Sequence, residues 1–305
     1  MSVETRVVAN FGATVAFAAR NAPAGALCQA HLPRSLPMIV AGDRVRIAAD
    51  GDGWKVTELL PRDSVLSRPD RRGQPRPLAA NLTHLGVVAA TPPGLDTLLI
   101  DQFCIAAADC GLDAMIIINK QDLLAPDERA AAEAIVAGYR AAGHEACLMH
   151  TQDDTGMAPL VALLPGKSFA LVGASGAGKS SIVQQLLPDE AIRIGAVSAV
   201  TGLGAHTTSV TWWYPLGDGA SIIDSPGVRQ YSLAHLDHDV IRQGYRDIGR
   251  LAGDCRFANC RHLQEPGCAV RAAVGRGELA AWRYANYVKL LGSEGQPHDA
   301  TGFPA

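Results

Sequence analysis

The stretch "GASGAGKSS", Gly173 to Ser181, follows the apolar run "SFALV" and matches the pattern G-x-x-x-x-G-K-[ST]. In such a segment the glycines let the backbone curl so that successive N–H groups point at phosphate oxygens. A helix that follows adds its positive dipole end. Gly173, Ala174, Ser175, Gly176, Ala177, Gly178, Lys179, Ser180 and Ser181 are the expected phosphate cradle. Lys179 is expected to reach the β- and γ-phosphates, and Ser180 to hold Mg²⁺. A glycine-rich turn without function is the bland alternative, and the strand-loop-helix context argues against it.

A phosphate cradle does not choose a base. "IIINKQDLL", Ile116 to Leu124, supplies a base reader in Asn119, Lys120, Gln121 and Asp122. The Asp122 carboxylate can accept from both the N1–H and the exocyclic amine of guanine, a pairing adenine does not offer. Asn119 can order the loop, and the aliphatic stem of Lys120 can cover the base face. The apolar run before them reads as a buried strand, and ligands in α/β sheets bind at the C-terminal ends of strands. GTP and GDP are therefore expected over ATP, whose use by a P-loop kinase is the competing reading.

Two further groups lie downstream. "SIIDSPG" carries Asp224-Ser225-Pro226-Gly227, a D-x-x-G. Asp224 is expected to reach Mg²⁺ through water, and the Gly227 amide to sense the γ-phosphate. "GAHTTS" offers Thr207 or Thr208 to close on Mg²⁺ and the γ-phosphate, with Thr208 assigned to the metal. The position after Gly227 is Val228, which cannot orient water, and Gln230 lies further on. Either Gln230 swings in or another polar group positions the water, and His206, beside the threonines, is the candidate, with an exposed loop histidine as the alternative. Thr208 and Lys179 are the other expected catalytic residues.

The order along the chain is base reader, cradle, threonines, D-x-x-G. In ordinary GTPases the cradle comes first. The site tolerates this circular permutation because chemistry needs the groups at neighbouring strand ends in space. It also makes the D-x-x-G lead into the C-terminal segment, so nucleotide state is expected to couple to that segment.

That C-terminal segment holds "CRFANCRHLQEPGC", in which Cys255, Cys260, His262 and Cys268 form a C-x4-C-x-H-x5-C array. Three thiolates and an imidazole make a closed tetrahedral zinc site, structural because no ligand position stays open. A disulfide pair or plain buried cysteines are the alternatives. Cys28, Cys104, Cys110 and Cys147 sit in apolar surroundings and read as small buried hydrophobes.

The elements that must position these groups are legible in outline. "TRVVANF", "ATVAFAA", "ALCQAHL", "DRVRIAA" and "WKVTELL" read as five short strands split by Gly, Pro, Asn and Asp signals, which suits a small OB-type or SH3-like barrel. Residues 65–80, rich in Arg and Pro, read as a linker. From "HLGVVAAT" onward, strands alternate with helical patterns, predicting a mostly parallel sheet. "APDERAAAEAIVAGYRAAG" has Pro126 at its start and Gly143 at its end, as helices do. "GELAAWRYANYVKLL" reads as an amphipathic helix with Trp282, Tyr287, Leu290 and Leu291 inward, and the tail after Leu291 has no packing pattern.

The resulting division is 1–66 for the barrel, 67–235 for the nucleotide domain and 236–305 for a helical zinc domain. Charge is uneven across the chain: 7 basic and 6 acidic residues in 1–66, 11 and 18 in 67–240, 9 and 6 in 241–305. A chain of net charge −3 is not a broadly basic nucleic-acid binder, so any RNA contact must come from local patches. Arg68, Arg71, Arg72 and Arg76 make one candidate patch, or a solvated linker. No apolar run approaches the ~20 residues that span a bilayer, and the N-terminus lacks a signal-peptide pattern. A cytoplasmic, monomeric protein is expected.

Together these residues resemble a family. An OB-like start with "VVANFG" and "GDRV", then "NKQD", "GASGAGKSS", "HTT", "DSPGV" and the Cys₃His array, in that order, is similar to the circularly permuted RsgA (YjeQ) GTPases that mature the small ribosomal subunit. The resemblance covers nearly the whole chain. It implies GTP hydrolysis stimulated by the small subunit, with the barrel and the zinc domain contacting its rRNA. The chain departs from the family where His150 or Thr151 occupies the guanine-supporting segment and where Ala205 replaces a basic residue of the switch. An RNA-binding module holding GTP as a static ligand is the competing class.

Overall fold

The computed structural model describes residues 2–18, 27–69, 74–91, 94–188, 210–225 and 238–292. The chain forms two units, each of discontinuous sequence. The first holds Met1–Gly86, Val161–Val172 and Gly178–Tyr231, and the second Val87–Leu160, Gly173–Ala177 and Ser232–Ala305.

The first unit opens with β1 (Ser2–Asn10), β2 (Thr14–Ala18), β3 (Leu27–His31), β4 (Arg44–Asp50) and β5 (Gly53–Leu59). Their order is β1-β2-β3-β5-β4, with β4 returning to pair with β1, which closes a five-strand barrel. β3 runs parallel to β5, and the topology is that of an OB-type barrel. Period-two alternation turns Val7, Val15, Phe17, Val45, Ile47 and Val56 into the barrel core. The carboxylate of "GDRV" is structural: Asp43 is fully buried, accepts from the Val40 N–H, and is clamped by Arg62 through Nε (2.7 Å) and Nη2 (2.8 Å). A buried carboxylate persists only with such partners.

Residues 65–80 are not a linker. They form an antiparallel hairpin, β6 (Val65–Pro69) and β7 (Pro75–Ala80), registered Leu66 on Ala79 and Ser67 on Pro77. Proline is tolerated because both strands of a two-stranded sheet are edges, and the buried Leu66, Ala79 and Ala80 anchor the pair.

The same unit carries β11 (Ser168–Gly173), α4 (Lys179–Leu186), β12 (Trp212–Gly217) and β13 (Ala220–Asp224). β11 and β13 are parallel, whereas β12 runs antiparallel to β13. Asp218 and Gly219 sit between β12 and β13 with φ of 47° and 70°, a tight hairpin turn of the Asp-Gly kind. β12 also pairs with the barrel, Trp212 lying opposite Ala9 of β1. One strand of the barrel therefore continues the nucleotide-domain sheet.

In the second unit β8 (His84–Ala90), β9 (Asp113–Asn119) and β10 (Glu145–Leu148) lie in the order β10-β9-β8, with β9 and β10 parallel. Its helices include α1 (Thr97–Asp109), α2 (Pro126–Ala141), α3 (Asp154–Val161), α5 (His238–Gly244), α6 (Arg246–Ala252), α7 (Ala269–Gly275) and α8 (Ala281–Gly292). α2 starts where its sequence punctuation puts it, with Pro126 first and the Glu128 carboxylate accepting from the Ala125 N–H. On α8, Tyr287, Leu290 and Leu291 are buried, and half-buried Trp282 packs on Tyr139 with ring centres 5.2 Å apart.

The helical pattern does not announce Arg283, whose guanidinium is 1% exposed. It donates to Asp101 of α1 at 2.6 Å and to Asp247 of α6 through Nη2 at 3.2 Å, with Nε on the same carboxylate. Asp101 also accepts from the hydroxyls of Tyr139 and Tyr245 and from Asn286 Nδ2, each at 2.9 Å. Burial raises Asp101 above the ordinary carboxylate range, while Arg283, Asn286, Tyr245 and Tyr139 oppose that rise. The Arg283 ring contacts complete the cage, 4.7 Å over Tyr245 and 5.5 Å over Tyr139. α1, α2, α6 and α8 are thus tied through one side chain. Replacing Arg283 with Met leaves two buried carboxylates without their cation, and is expected to cost about 3–5 kcal/mol. Removing the exposed Arg129–Glu133 pair should cost less than ~1 kcal/mol. Urea unfolding of the two variants checks the contrast, and equal losses would sink it.

Candidate functional site

The residues expected to read the base sit at the end of β9, a strand buried from Ala114 to Asn119. Asn119 is 1% exposed, and its Nδ2 donates to the carbonyl of Ala177 in the phosphate loop at 3.0 Å. Its Oδ1 accepts from the Lys120 N–H at 2.8 Å. Lys120 adopts a left-handed conformation with φ of 67°, which turns the chain out of the strand into the short 3₁₀ turn Gln121–Leu123. Asp122, in that turn, is exposed. Gln121 N–H donates to Met149 O, and Met149 N–H donates to Ile118 O, so the base reader is laced to the end of β10.

The segment after β10 is where the chain carries His150 and Thr151. The Asp153 carboxylate begins α3, accepting from Thr155 Oγ1 at 2.6 Å and from the Gly156 N–H at 2.8 Å. The His150 ring lies flat against Gly156, in space that any Cβ at 156 would fill. His150 N–H donates to Gly156 O, and Gln152 N–H donates to His150 Nδ1. A bulky imidazole is accommodated here because the residue opposite is glycine.

The phosphate loop leaves β11 at Gly173, whose φ is 130° and which passes directly over the Val88 carbonyl; a methyl at 173 would overlap that oxygen. Gly176 and Gly178 also have positive φ, 76° and 96°. Ala177 is buried, Ser175 and Gly176 are exposed, and α4 starts at Lys179. Ser180 and Ser181 occupy its exposed first turn, and Lys179 is half-buried. Asp224 ends β13, and the Oγ of the buried Ser225 beside it accepts from Thr211 Oγ1 at 2.7 Å. His206, Thr207, Thr208, Gly227, Val228 and Gln230 lie outside the described residues.

The four metal-type ligands come together. The ligand atoms of Cys255, Cys260, His262 and Cys268 all lie within 4.8 Å of one another. Cys255 and Cys268 Sγ are 3.5 and 3.6 Å from His262 Nδ1. A tetrahedral ion with bonds of ~2.0–2.3 Å holds its ligand atoms roughly 3.5–3.8 Å apart, so the set fits a metal ion. Backbone N–H groups of Ala269 and Arg271 donate to Cys255 and Cys268 Sγ, as thiolates favour. Glu265 staples the loop by accepting from the N–H groups of Arg261, Leu263 and Gln264, and these donors, Arg261 first, take its carboxyl down to about 2. His262 stands at φ 62°, with its carbonyl accepting from Tyr284 OH and that of Arg261 from Tyr287 OH. Cys104 and Cys147 are buried, whereas Cys28 and Cys110 are only half-buried.

A strand-ended base reader hydrogen-bonded to a strand-ended phosphate loop, with the reader first in sequence, defines a circularly permuted P-loop GTPase, here bearing an OB-type barrel and a Cys₃His module. The profile of the RsgA GTPase family matches residues 59–234. "Small ribosomal subunit biogenesis GTPase RsgA" of Chromohalobacter salexigens is 41% identical over 94% of this chain and 84% of its own. The protein of the same description from Azotobacter vinelandii is 39% identical over 95% of this chain and 85% of its own. Among solved structures, YjeQ from Thermotoga maritima aligns with a TM-score of 0.75 over 95% of this chain and 98% of that one. YloQ, described as a circularly permuted GTPase, aligns with a TM-score of 0.74 over 96% and 94%. At 24% identity each, the two structures speak for the fold. The chain belongs to the RsgA GTPase family. Among the described residues no helix is long and apolar enough to cross a membrane.

The close approach at Gly173 predicts that Gly173→Ala displaces the phosphate loop from Val88. Nucleotide affinity should fall at least tenfold in a calorimetric titration while the far-ultraviolet circular dichroism is unchanged, and wild-type affinity would refute the constraint. Cys260→Ser should lower metal content measured by elemental analysis and expose residues 240–292 to hydrogen exchange, with β8 to β10 still protected.

Proposed function

We propose that this GTPase acts in late maturation of the small ribosomal subunit, binding its rRNA and using nucleotide state to control association and release. The observation that carries the reading is the bond from Asn119 to Ala177, which joins the guanine-type reader to the phosphate loop in one site. The names of the relatives, small ribosomal subunit biogenesis GTPases, supply the subunit. GTP is held by Asn119, Lys120, Gln121 and Asp122 at the base, by Gly173 to Ser181 at the phosphates, and by Asp224 and Gly227 at the γ-phosphate side. Mg²⁺ would be held by Ser180 and Thr208, and supplies charge neutralisation of the phosphates. Ser180 fits that role, standing in the first turn of α4 directly after Lys179, while Thr208 lies outside the described residues. His206 positions the attacking water, Thr208 closes on the γ-phosphate side, and Lys179 stabilises the transferred phosphoryl group.

The division of labour is 1–66 for an rRNA-binding barrel, 67–235 for GTP and 236–305 for a zinc-bearing helical domain. Zinc is favoured over other ions by three thiolates and an imidazole within one closed shell. With all four positions filled by protein it is structural. The protein works in the cytoplasm as a monomer.

Phosphate release with and without purified small subunits tests the activity. Stimulation is expected, and a rate no faster than background in both arms would favour a static GTP-binding module instead. Asp122→Asn should shift preference from guanine to xanthine nucleotide, whose extra carbonyl accepts from the new amide. Unchanged guanine preference would remove Asp122 from the base site.

A further inference from the structure

We infer that Thr211 is a positioning residue for the Asp224–Ser225 turn, and that the seam between β12 and β1 passes the state of that turn to the barrel. The second half rests on the proposed function, and the first stands on GTP hydrolysis alone. Asp224 and Ser225 open the D-x-x-G, and each has one partner at the start of the neighbouring strand, Trp212 for Asp224 and, just before β12, Thr211 for Ser225. Asp224 is registered opposite Trp212 in the β12–β13 pair. Ser225, 3% exposed, takes the Thr211 hydroxyl hydrogen bond at 2.7 Å. The strand end that carries Asp224 is therefore held by a partly buried side-chain bond as well as by the strand pairing itself.

Trp212 is also the residue through which β12 meets the barrel. It lies opposite Ala9 of β1. Its ring takes the edge of Phe11 at 5.8 Å and stacks on Tyr214 at 6.2 Å with 19° between planes. The next residue, Trp213, carries the Arg6 guanidinium 5.4 Å over its ring. Arg6 also donates through Nη1 to the Gly42 carbonyl at 3.2 Å, and burial, with Arg44 nearby, lowers its pKa. Val8, Ala9, Ala16, Phe11, Trp212 and Trp213 form one apolar cluster at this joint. β1 is irregular in its pairing with β2 between Val7 and Ala9, and there its other edge passes from β4, paired through Arg6, to β12, paired at Ala9. From Ser225 to Phe11 the path runs through two consecutive residues, Thr211 and Trp212, and close-packed contacts transmit displacement instead of absorbing it. The C-terminal segment is thus not the sole element that nucleotide state can move.

Two sets of measurements test this. Intrinsic GTP hydrolysis, without subunits, is compared for wild type, Thr211→Val and Thr211→Ser. Thr211→Val should lower kcat roughly 3- to 10-fold, the size of one lost hydrogen bond, with KM little changed, and Thr211→Ser should restore it. An unchanged kcat in Thr211→Val, or no rescue by Thr211→Ser, overturns the positioning role. Small-subunit affinity is then measured with GDP and with a non-hydrolysable GTP analogue, for wild type and Phe11→Leu. Phe11→Leu keeps apolar bulk but loses the ring edge on Trp212, and its hydrolysis should match wild type. Its ratio of the two affinities should move at least threefold toward one. A ratio equal to that of wild type overturns the seam as a conduit. A wild-type ratio of one overturns the proposed nucleotide control itself, and leaves the hydrolysis result to decide Thr211.

Discussion

One buried carboxamide sets the terms for the nucleotide site. Asn119 is out of water at the end of β9, so both ends of its side chain need partners. Oδ1 accepts from Lys120 N–H and turns the base-reading loop, and Nδ2 donates to Ala177 O and fixes the phosphate loop to it. The two loops are 50-odd residues apart in sequence, with the reader first. The carboxamide is indifferent to which loop was made first, which is the physical sense in which a permuted chain keeps a GTPase site. The glycine at 173 belongs to the same constraint, because the loop on its way to Ala177 passes over the Val88 carbonyl, where no Cβ fits.

A second constraint organises the helices around the base-reading strands. Arg283 is a cation with almost no solvent, held between Asp101 and Asp247 and roofed by Tyr139 and Tyr245. Such a group contributes little net stability but makes wrong packings expensive, because any shift of α1, α6 or α8 strands a charge. The same helix α8 reaches the metal-type loop through Tyr284 and Tyr287, whose hydroxyls hold the carbonyls of His262 and Arg261. The four ligands are thereby presented by a loop that Glu265 staples from within and α8 braces from one side. An ion held by these four ligands would add its binding free energy to the folding of that loop.

The chemistry was legible in the sequence because it depends on residue type at short spacing. Gly173 to Ser181, Asn119 to Asp122, Asp224 and the C-x4-C-x-H-x5-C array are local patterns, and each is found at a strand end, a helix start or a stapled loop. The five barrel strands were legible for the same reason, since alternation and turn residues are local. Residues 65–80 read as a linker because their Arg and Pro content masks Val65, Leu66, Ala79 and Ala80, the four apolar residues that pin a hairpin. The Asp218-Gly219 turn signal was present but unused, and it is what makes β12 antiparallel.

What the sequence by itself determined is therefore the inventory: a phosphate loop, a guanine-type reader, a metal-ligand set, a barrel and a permuted order. What only the tertiary structure decided is which distant groups share one environment. Arg283 reads as a solvated residue on an amphipathic helix, and nothing near it in sequence carries the compensating charge. Its partners Asp101 and Asp247 lie 182 and 36 residues away. Thr211 and Ser225 are likewise anonymous until β12 and β13 pair, and Trp212 is merely aromatic until β1 lies beside it. Desolvation and pairing are properties of a folded neighbourhood, not of a residue type, so a pattern of types could not reveal them.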